Sequence, residues 1–284
     1  MSTAVVAVAV PRRTIALDLR AIKIVVQRDL IRTYQDRTRF LSTLVQPVLF
    51  LFVLGAGLSS LTKGATGSVD LRTFMYPGVL ATSTLFTAMF SSISIVWDRE
   101  FGFLREMLVA PIRRSSIILG KALGGAIVAS GQGVIVLLLG LLVDVPLGPA
   151  LVLTLLGEIF LLSFTLTAFG LAIVARITQV QAVMGIMQML LLPLSFLSGA
   201  LYPLSGLPTW LGVLVRLNPL TYAVHPVRTA VFAHLTVSDE VRARLNPPLT
   251  WFGWAVPTGV QLLLVAALGA LLLGIAVRQF QKVE

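Results

Sequence analysis

Cysteine is absent and histidine occurs only twice, as His225 and His234, in a chain of 284 residues. Without thiols there is no disulfide, no thiolate nucleophile and no Cys-ligated metal, and the two histidines do not stand at metal-motif spacing. Charge is scarce as well. Asp, Glu, Lys and Arg make up 12% of the residues, where a soluble domain carries about a quarter. No G-x-x-x-x-G-K-[ST] run occurs. Gly120-Lys121 lacks both the upstream Gly and the Ser or Thr that should follow, so any energy from ATP must come from another polypeptide. No cluster of acid, base and nucleophile suggests a hydrolase or a lipid-modifying enzyme. The opening MSTAVVAVAV has no basic leading region and does not read as a cleaved signal peptide.

What is abundant is apolar. Hydrophobic residues make up 57% of the chain, and its mean hydropathy is +0.94. The apolar runs are of span length, which points to lipid-embedded helices rather than the short alternating strands of a barrel. The net charge of +10 fits Lys and Arg gathered on one side of a bilayer better than a nucleic-acid surface. The expectation is an all-α polytopic membrane protein. Its six transmembrane helices fall at about 41–61, 74–97, 117–143, 150–175, 180–201 and 254–277. Together they form one domain, 41–277, between a cytoplasmic N-terminal segment, 1–40, and a polar tail, 278–284.

Residues 14–38 read as an interfacial amphipathic helix. Ile15, Leu19, Ile22, Val26 and Leu30 form its apolar stripe, with Arg20, Lys23, Arg28 and Arg32 mostly off it. Thr62–Thr73 is a polar loop. Residues 98–116, DREFGFLREMLVAPIRRSS, carry too many charges to rest in hydrocarbon and form a water-side loop. There Asp98 is placed to cap a short helix, Phe101, Leu104 and Leu108 to give it one apolar face, and Pro111 to end it. Such a helix can dock on a partner or simply cover its own protein. Lys121 is close enough to the border to snorkel. Residues 202–250 are rich in proline and hold apolar pieces too short to cross, Thr209–Leu217 and Leu220–Leu235. They are expected as external re-entrant or interfacial helices. Sixteen of the 22 Lys and Arg residues fall inside if both termini are cytoplasmic, so that orientation is expected.

Several polar residues lie within the spans. Thr84, Thr87, Ser91 and Ser94 share one face of span two, and Gln181, Gly185, Gln188 and Ser195 one face of span five. Span three holds Gly120, Gly124, Gly131, Gln132 and Gly133. Such stripes serve helix packing or line a path. Glu158 is the only acidic residue well inside a span, where a charge costs about 3 kcal/mol. It is either a substrate or proton contact or a neutral structural carboxyl.

These features together resemble the membrane subunit of the ABC-2 type exporters, over nearly the whole chain. The most specific part is SGALYPLSGLPTWLGVLVRLNPLTYAVHPVR, Ser198 to Arg228. It is similar to the family's stretch at the end of span five through Gly199, Pro203, Pro208, Asn218, Pro219, Tyr222 and Arg228. A second match is the charged loop, through Glu100, Gly102, Glu106, Pro111, Arg113, Gly120 and Lys121; Phe103 stands where the family often has Thr. The start, RDLIRTYQDRTRFLSTLVQPVLFLFVLGAG, looks most like the daunorubicin-resistance and nodulation-export branch.

The resemblance implies an exporter half in the cell membrane, moving an amphipathic drug, lipid or glycolipid, or alternatively a polysaccharide or lipid-linked glycan. ATP and Mg would bind two copies of a soluble ATPase subunit, which would meet the loop at Glu100, Phe101, Gly102, Leu104, Arg105, Glu106, Leu108, Pro111 and Arg113. A second membrane subunit, as a homodimer, would share a path lined by Thr84, Thr87, Ser91, Ser94, Glu158, Gln181, Gln188 and Ser195. An ATP-independent carrier would need more ionisable residues than Glu158 along such a path. An importer should show a Glu-Ala-Ala motif in its loop, and none is seen.

Overall fold

The computed structural model describes residues 14–59, 70–251 and 253–283. The signal-peptide reading and most of the polar loop 62–73 lie outside the described residues.

Thr14 starts α1 (Ile15–Gln35) by accepting the Leu17 N–H, and Asp18 in the first turn and Arg32 in the last complement the helix dipole. The chain turns at Asp36 into α2 (Arg37–Val48), which continues through a π-helical stretch, Leu49–Leu54. Asp70 then opens α3 (Leu71–Ser91). After a turn at Ser92 and Ile93 come α4 (Ser94–Glu100) and the short α5 (Phe103–Val109), split by Gly102 at φ 82°. Next are α6 (Arg114–Leu138) with a 3-10 extension to Val143, α7 (Pro149–Val174) with Pro149 in its first turn, and α8 (Val180–Phe196). The remainder is α9 (Thr209–Leu217), α10 (Thr221–Ala233), α11 (Asp239–Leu245), the antiparallel pair β1 (Thr250–Trp251) and β2 (Trp254–Ala255), and α12 (Thr258–Val283).

Among the described residues, five helical stretches are long and apolar enough to cross a membrane: Leu41–Ser59, Leu71–Glu100, Arg114–Val143, Pro149–Val174 and Thr258–Lys282. The sixth expected span is shorter than its sequence suggests. Helix α8 has 17 residues, about 25 Å of rise, and stops at Phe196 rather than 201. Beyond Pro193 the chain reverses through Gly199 at φ 70°, where a side chain would be strained. The last span begins at Thr258, because Trp254 belongs to β2. That two-residue ladder is the one departure from an all-α fold among the described residues, and α11 is a helix the sequence pattern did not announce.

The bundle has two ends. At the loop end stand α1, α4, α5 and the start of α6. At the far end stand α9, α10, α11 and the β pair. Helix α3 is the central post, buried along most of its length against α6 and α7. Its hydroxyls at Thr82, Ser83, Thr84, Thr87 and Ser91 bond back to carbonyls on the preceding turn, which lets them sit in an apolar helix without further partners. Small residues set the close approaches. A Cβ on Gly125 would stand 2.6 Å from Thr167, one on Gly133 2.6 Å from Ile159, and one on Gly170 2.3 Å from the Ser92 hydroxyl. At the far end Thr73 donates to the Val143 carbonyl and Tyr76 to that of Leu137, tying α3 to the exit of α6.

Helix α1 packs on the bundle by a face other than the apolar stripe expected to lie along the membrane. Ile15 and Leu19 are exposed, and the buried positions are Ala21, Val25 and Asp29. These meet Gly120 and Gly124 of α6, whose missing side chains leave room for Val25 and Asp29. Backbone proximity, not hydrophobicity, chooses this face.

Candidate functional site

The loop end holds most of the residues singled out from the sequence. Its core is ionic. Lys121, 2% exposed, does not snorkel. Its Nζ lies 2.8 Å from Asp29 Oδ1, 2.7 Å from Asp98 Oδ2 and 3.2 Å from Ser94 Oγ. Arg28 pairs with the same Asp98 carboxylate and approaches Asp29 at 4.0 Å. Asp98, 3% exposed, is therefore no helix cap; it lies within α4 and faces inward. Two acids and two bases make the cluster formally neutral, which is what allows it to be buried. Burial pushes the Asp29 carboxyl above its ordinary value, against the pull of the Lys121 charge. Removing one partner of such a cluster costs about 3–5 kcal/mol. Sequence reasoning missed Asp29 and misplaced Lys121 and Asp98. The available signal was that both acids and the lysine fall near the same membrane border.

Around this core the loop is fastened at several points. Arg99 donates to the carbonyls of Ile177 and Ala175 at 2.6 and 3.0 Å, closing the end of α7. Glu100 accepts the Val180 N–H at 3.1 Å, capping α8. Asp18 accepts the Arg113 N–H at 2.9 Å and pairs with its guanidinium, joining α1 to the loop. Of the expected apolar face, Leu104 is buried and Met107 and Leu108 pack on the core, whereas Phe101 is 68% exposed. Gly102 at φ 82° turns the chain between Phe101 and the helix, so Phe101 cannot share the face of Leu104. Pro111 follows Ala110 in extended conformation, as a residue before proline prefers. Phe101, Phe103, Val109, Arg105 and Glu106 are left facing outward.

Beside the ionic cluster lies a cavity of about 540 Å³ between α1, α2, α3, α4, α6 and α8. Phe86, Phe90 and Trp97 form one strip of its wall and Thr87, Ser91 and Ser94 another, while Asp29, Arg32 and Asp36 close the loop end. Arg32 stacks on Trp97 at 4.3 Å from the ring centroid. The expected path residues thus separate. Thr87, Ser91 and Ser94 line the cavity, but Thr84 is fully buried against Gly133 of α6. Gln181 and Gln188 stand on the exposed face of α8. Ser195 is buried and bonds to the Leu192 carbonyl. Glu158 is not at the cavity. It is buried in the bundle next to Ile159, where its Oε2 has no hydrogen-bond partner among the described residues.

The stretch Ser198 to Arg228 forms a compact knot at the far end. Arg228, 1% exposed, donates to the carbonyls of Gly199 at 2.7 Å and Ala200 at 3.1 Å, and sits over the Phe74 ring at 4.7 Å. Asn218 donates to the Leu194 carbonyl and accepts the Leu220 N–H. Tyr222 donates to the Arg216 carbonyl and accepts from the Trp251 indole. Pro208 precedes the first turn of α9, and Pro219 lies in the turn before α10. Pro203 lies in the loop between α8 and α9. Each polar residue here satisfies irregular backbone, as such backbone requires at membrane depth. Arg228→Met is expected to lower stability by about 2 kcal/mol or more, since two buried carbonyls lose their donor. Both bonds come from Nη2, so Arg228→Lys, with three donors on one nitrogen, should recover part of the loss but give up the flat guanidinium's contact with the Phe74 ring. Melting curves of the detergent-solubilised protein check both.

Comparison with known proteins covers this same region. Residues 20–232 match the family model described as ABC-2 type transporter. The chain is 31% identical over 209 residues to a protein of Cyanophora paradoxa named as transport permease ycf38, spanning 72% of each. It is 29% identical over 204 residues to nodulation protein J of Rhizobium leguminosarum bv. trifolii, spanning 69% of this chain and 75% of that one. It is 31% identical over 165 residues to an Escherichia coli protein named as a multidrug ABC transporter permease, YbhR, spanning 55% of this chain and 42% of the other.

Proposed function

The chain belongs to the ABC-2 type transporter family, and from that premise we propose that it is the membrane subunit of an ATP-driven exporter for an amphipathic drug, lipid or glycolipid. The observation that carries this reading is α5. The chain on either side of it is fastened to α1, α7 and α8 through Asp18, Arg99 and Glu100, and Leu104 anchors the helix itself, yet Phe101, Phe103 and Val109 turn outward beside Arg105 and Glu106. A fixed helix with an uncovered apolar and charged face suits docking to a soluble subunit, and its fastenings suit transmission of a rigid-body movement. ATP and Mg would be held by that partner, present in two copies.

The excess of Lys and Arg at the loop end supports cytoplasmic termini and a cell-membrane location. The face of α8 bearing Gln181, Gly185 and Gln188 supports a second copy of the chain across a shared path. Two amides left in hydrocarbon would be costly, and a partner copy supplies them with hydrogen-bond groups. The cavity beside that face, with an aromatic strip next to a hydroxyl strip, suits an amphipathic molecule better than a glycan chain. The name of one relative, a multidrug ABC transporter permease, agrees with a drug as cargo.

The test is reconstitution in liposomes with and without the ATPase subunit. A fluorescent phospholipid and a lipophilic dye serve as probes. ATP-dependent movement requiring both proteins is expected, and Ser91→Trp, which fills the cavity, should reduce it about tenfold or more while leaving ATPase binding intact. Steady uphill movement by the chain alone would overturn the reading.

A further inference from the structure

A push on α5 reaches the cavity only through what connects them. Span two is interrupted at Ser92 and Ile93, where the helical hydrogen bonds shorten to three-residue turns; Ser92 N–H reaches Met89 O and Ile93 N–H reaches Phe90 O, both at 3.2 Å. Below this joint, α4 carries Ser94 and Trp97, both in the cavity wall, and Asp98. Asp98 does not merely neutralise a neighbour on its own helix. It grips Lys121 on α6, which grips Asp29 on α1, and Asp98 is gripped in turn by Arg28 of α1. Arg28 also reaches the Met107 sulfur of α5 at 3.9 Å. Three helices, α1, α4 and α6, therefore meet in one buried ionic knot beside the cavity, and α5 touches it through Met107. Close packing of α1 on Gly120 and Gly124 holds α1 to α6, and Asp98, Arg99 and Glu100 tie α4 to them and to the ends of α7 and α8, so a displacement of this end carries α4 with it and is taken up at the Ser92–Ile93 joint.

We propose that Lys121, with Asp98, is the positioning pair that couples movement of the docking helix to the cavity: the ion cluster fixes α4 to α1 and α6, and the joint at Ser92–Ile93 lets that fixed lever open or close the wall formed by Ser94 and Trp97. The pair touches neither nucleotide nor cargo and acts through α4. The inference rests on the exporter reading above.

The absence of cysteine permits a direct test. Met184→Cys, in the cavity wall on α8, is labelled with an environment-sensitive fluorophore in the full complex with its ATPase in nanodiscs. ATP is expected to shift the emission of the parent. In the doubly substituted Asp98→Asn, Lys121→Met chain the cluster stays neutral. Assembly and ATP hydrolysis are therefore expected to persist while the emission response falls about tenfold, a typical size for a lost coupling. Lys121→Arg, which keeps the charge, should retain most of the response. A parent-like response in the double variant overturns the proposal and reduces the cluster to a structural one. If the double variant does not assemble, the milder neutral pair Asp98→Asn, Lys121→Gln, which keeps polar side chains at both positions, decides on the same readout, a parent-like response again overturning it. Failure of any ATPase to bind the unsubstituted chain would instead sink the exporter reading itself.

Discussion

Gly78→Ala is expected to cost about 3 kcal/mol or more, the upper part of the range for overpacking. Most helix glycines in this chain have space for a methyl group or face a side chain that can shift. Gly78 does not. A Cβ there would stand 1.8 Å from the Ala200 carbonyl oxygen, 2.4 Å from its carbon and 2.7 Å from its Cα. The obstacle is main chain, and that main chain is already committed, because Ala200 O accepts from the buried Arg228. Making room for the methyl group would push the 198–200 turn off α3 and break the Arg228 hydrogen bonds with it. The expected result is a lower melting temperature and loss of the monodisperse species after detergent extraction. Gly157→Ala is the control: it has nothing within 4 Å, and a helical Gly replaced by Ala without strain gains a few tenths of a kcal/mol or more. An unchanged melting temperature for Gly78→Ala would mean that α3 and the turn are not in contact.

Gly78 also illustrates what the sequence could not disclose. Span two was legible from its hydropathy, and so were α9 and α10 from apolar pieces between prolines. The element type follows from local pattern. Which glycine is indispensable depends on a turn 122 residues further along the chain, at Ala200, and no local pattern encodes that. The same holds for charge. Lys121 read as a snorkelling lysine because a long side chain near a border usually reaches water. Its actual fate is decided by Asp29 and Asp98, which reach it from two other helices. For α1 the hydrophobic stripe was visible, yet small residues set its packed side, since Ala21 and Val25 against Gly120 allow closer approach than Ile15 or Leu19 would. The candidate site divides along this line. The charged loop and the hydroxyl stripe of span two were found as residues. Their roles as fastening, cavity wall or outward face required the fold, because Glu100 and Glu106 look alike in sequence while one caps α8 and the other faces out.

That outward face carries the second large effect. Phe103→Asp is expected to leave the chain folded and to weaken binding of the proposed ATPase subunit about thirtyfold or more, the loss of an aromatic hot spot. Phe103 is 52% exposed, Phe101 68% and Val109 86%, whereas Leu104 between them is 1% exposed. Single exposed apolar residues are ordinary. Three around one seven-residue helix in a loop too charged for lipid form a patch that water alone does not explain. Because Leu104, Met107 and Leu108 provide the helix's own anchorage, an acid at Phe103 should change stability by only about 0.5 kcal/mol. Leu104→Asp should instead unfold the loop, so the pair separates docking from folding. Glu106→Arg reverses a rim charge beside the patch and should slow association and weaken the ATP-dependent response with little change in melting temperature. Co-purification and binding kinetics with the ATPase in detergent measure these effects. Parent-like binding by Phe103→Asp would remove α5 as the docking element, and the motor would then have to enter through the exposed side of α1, where Ile15, Leu19 and Ile24 face away from the bundle.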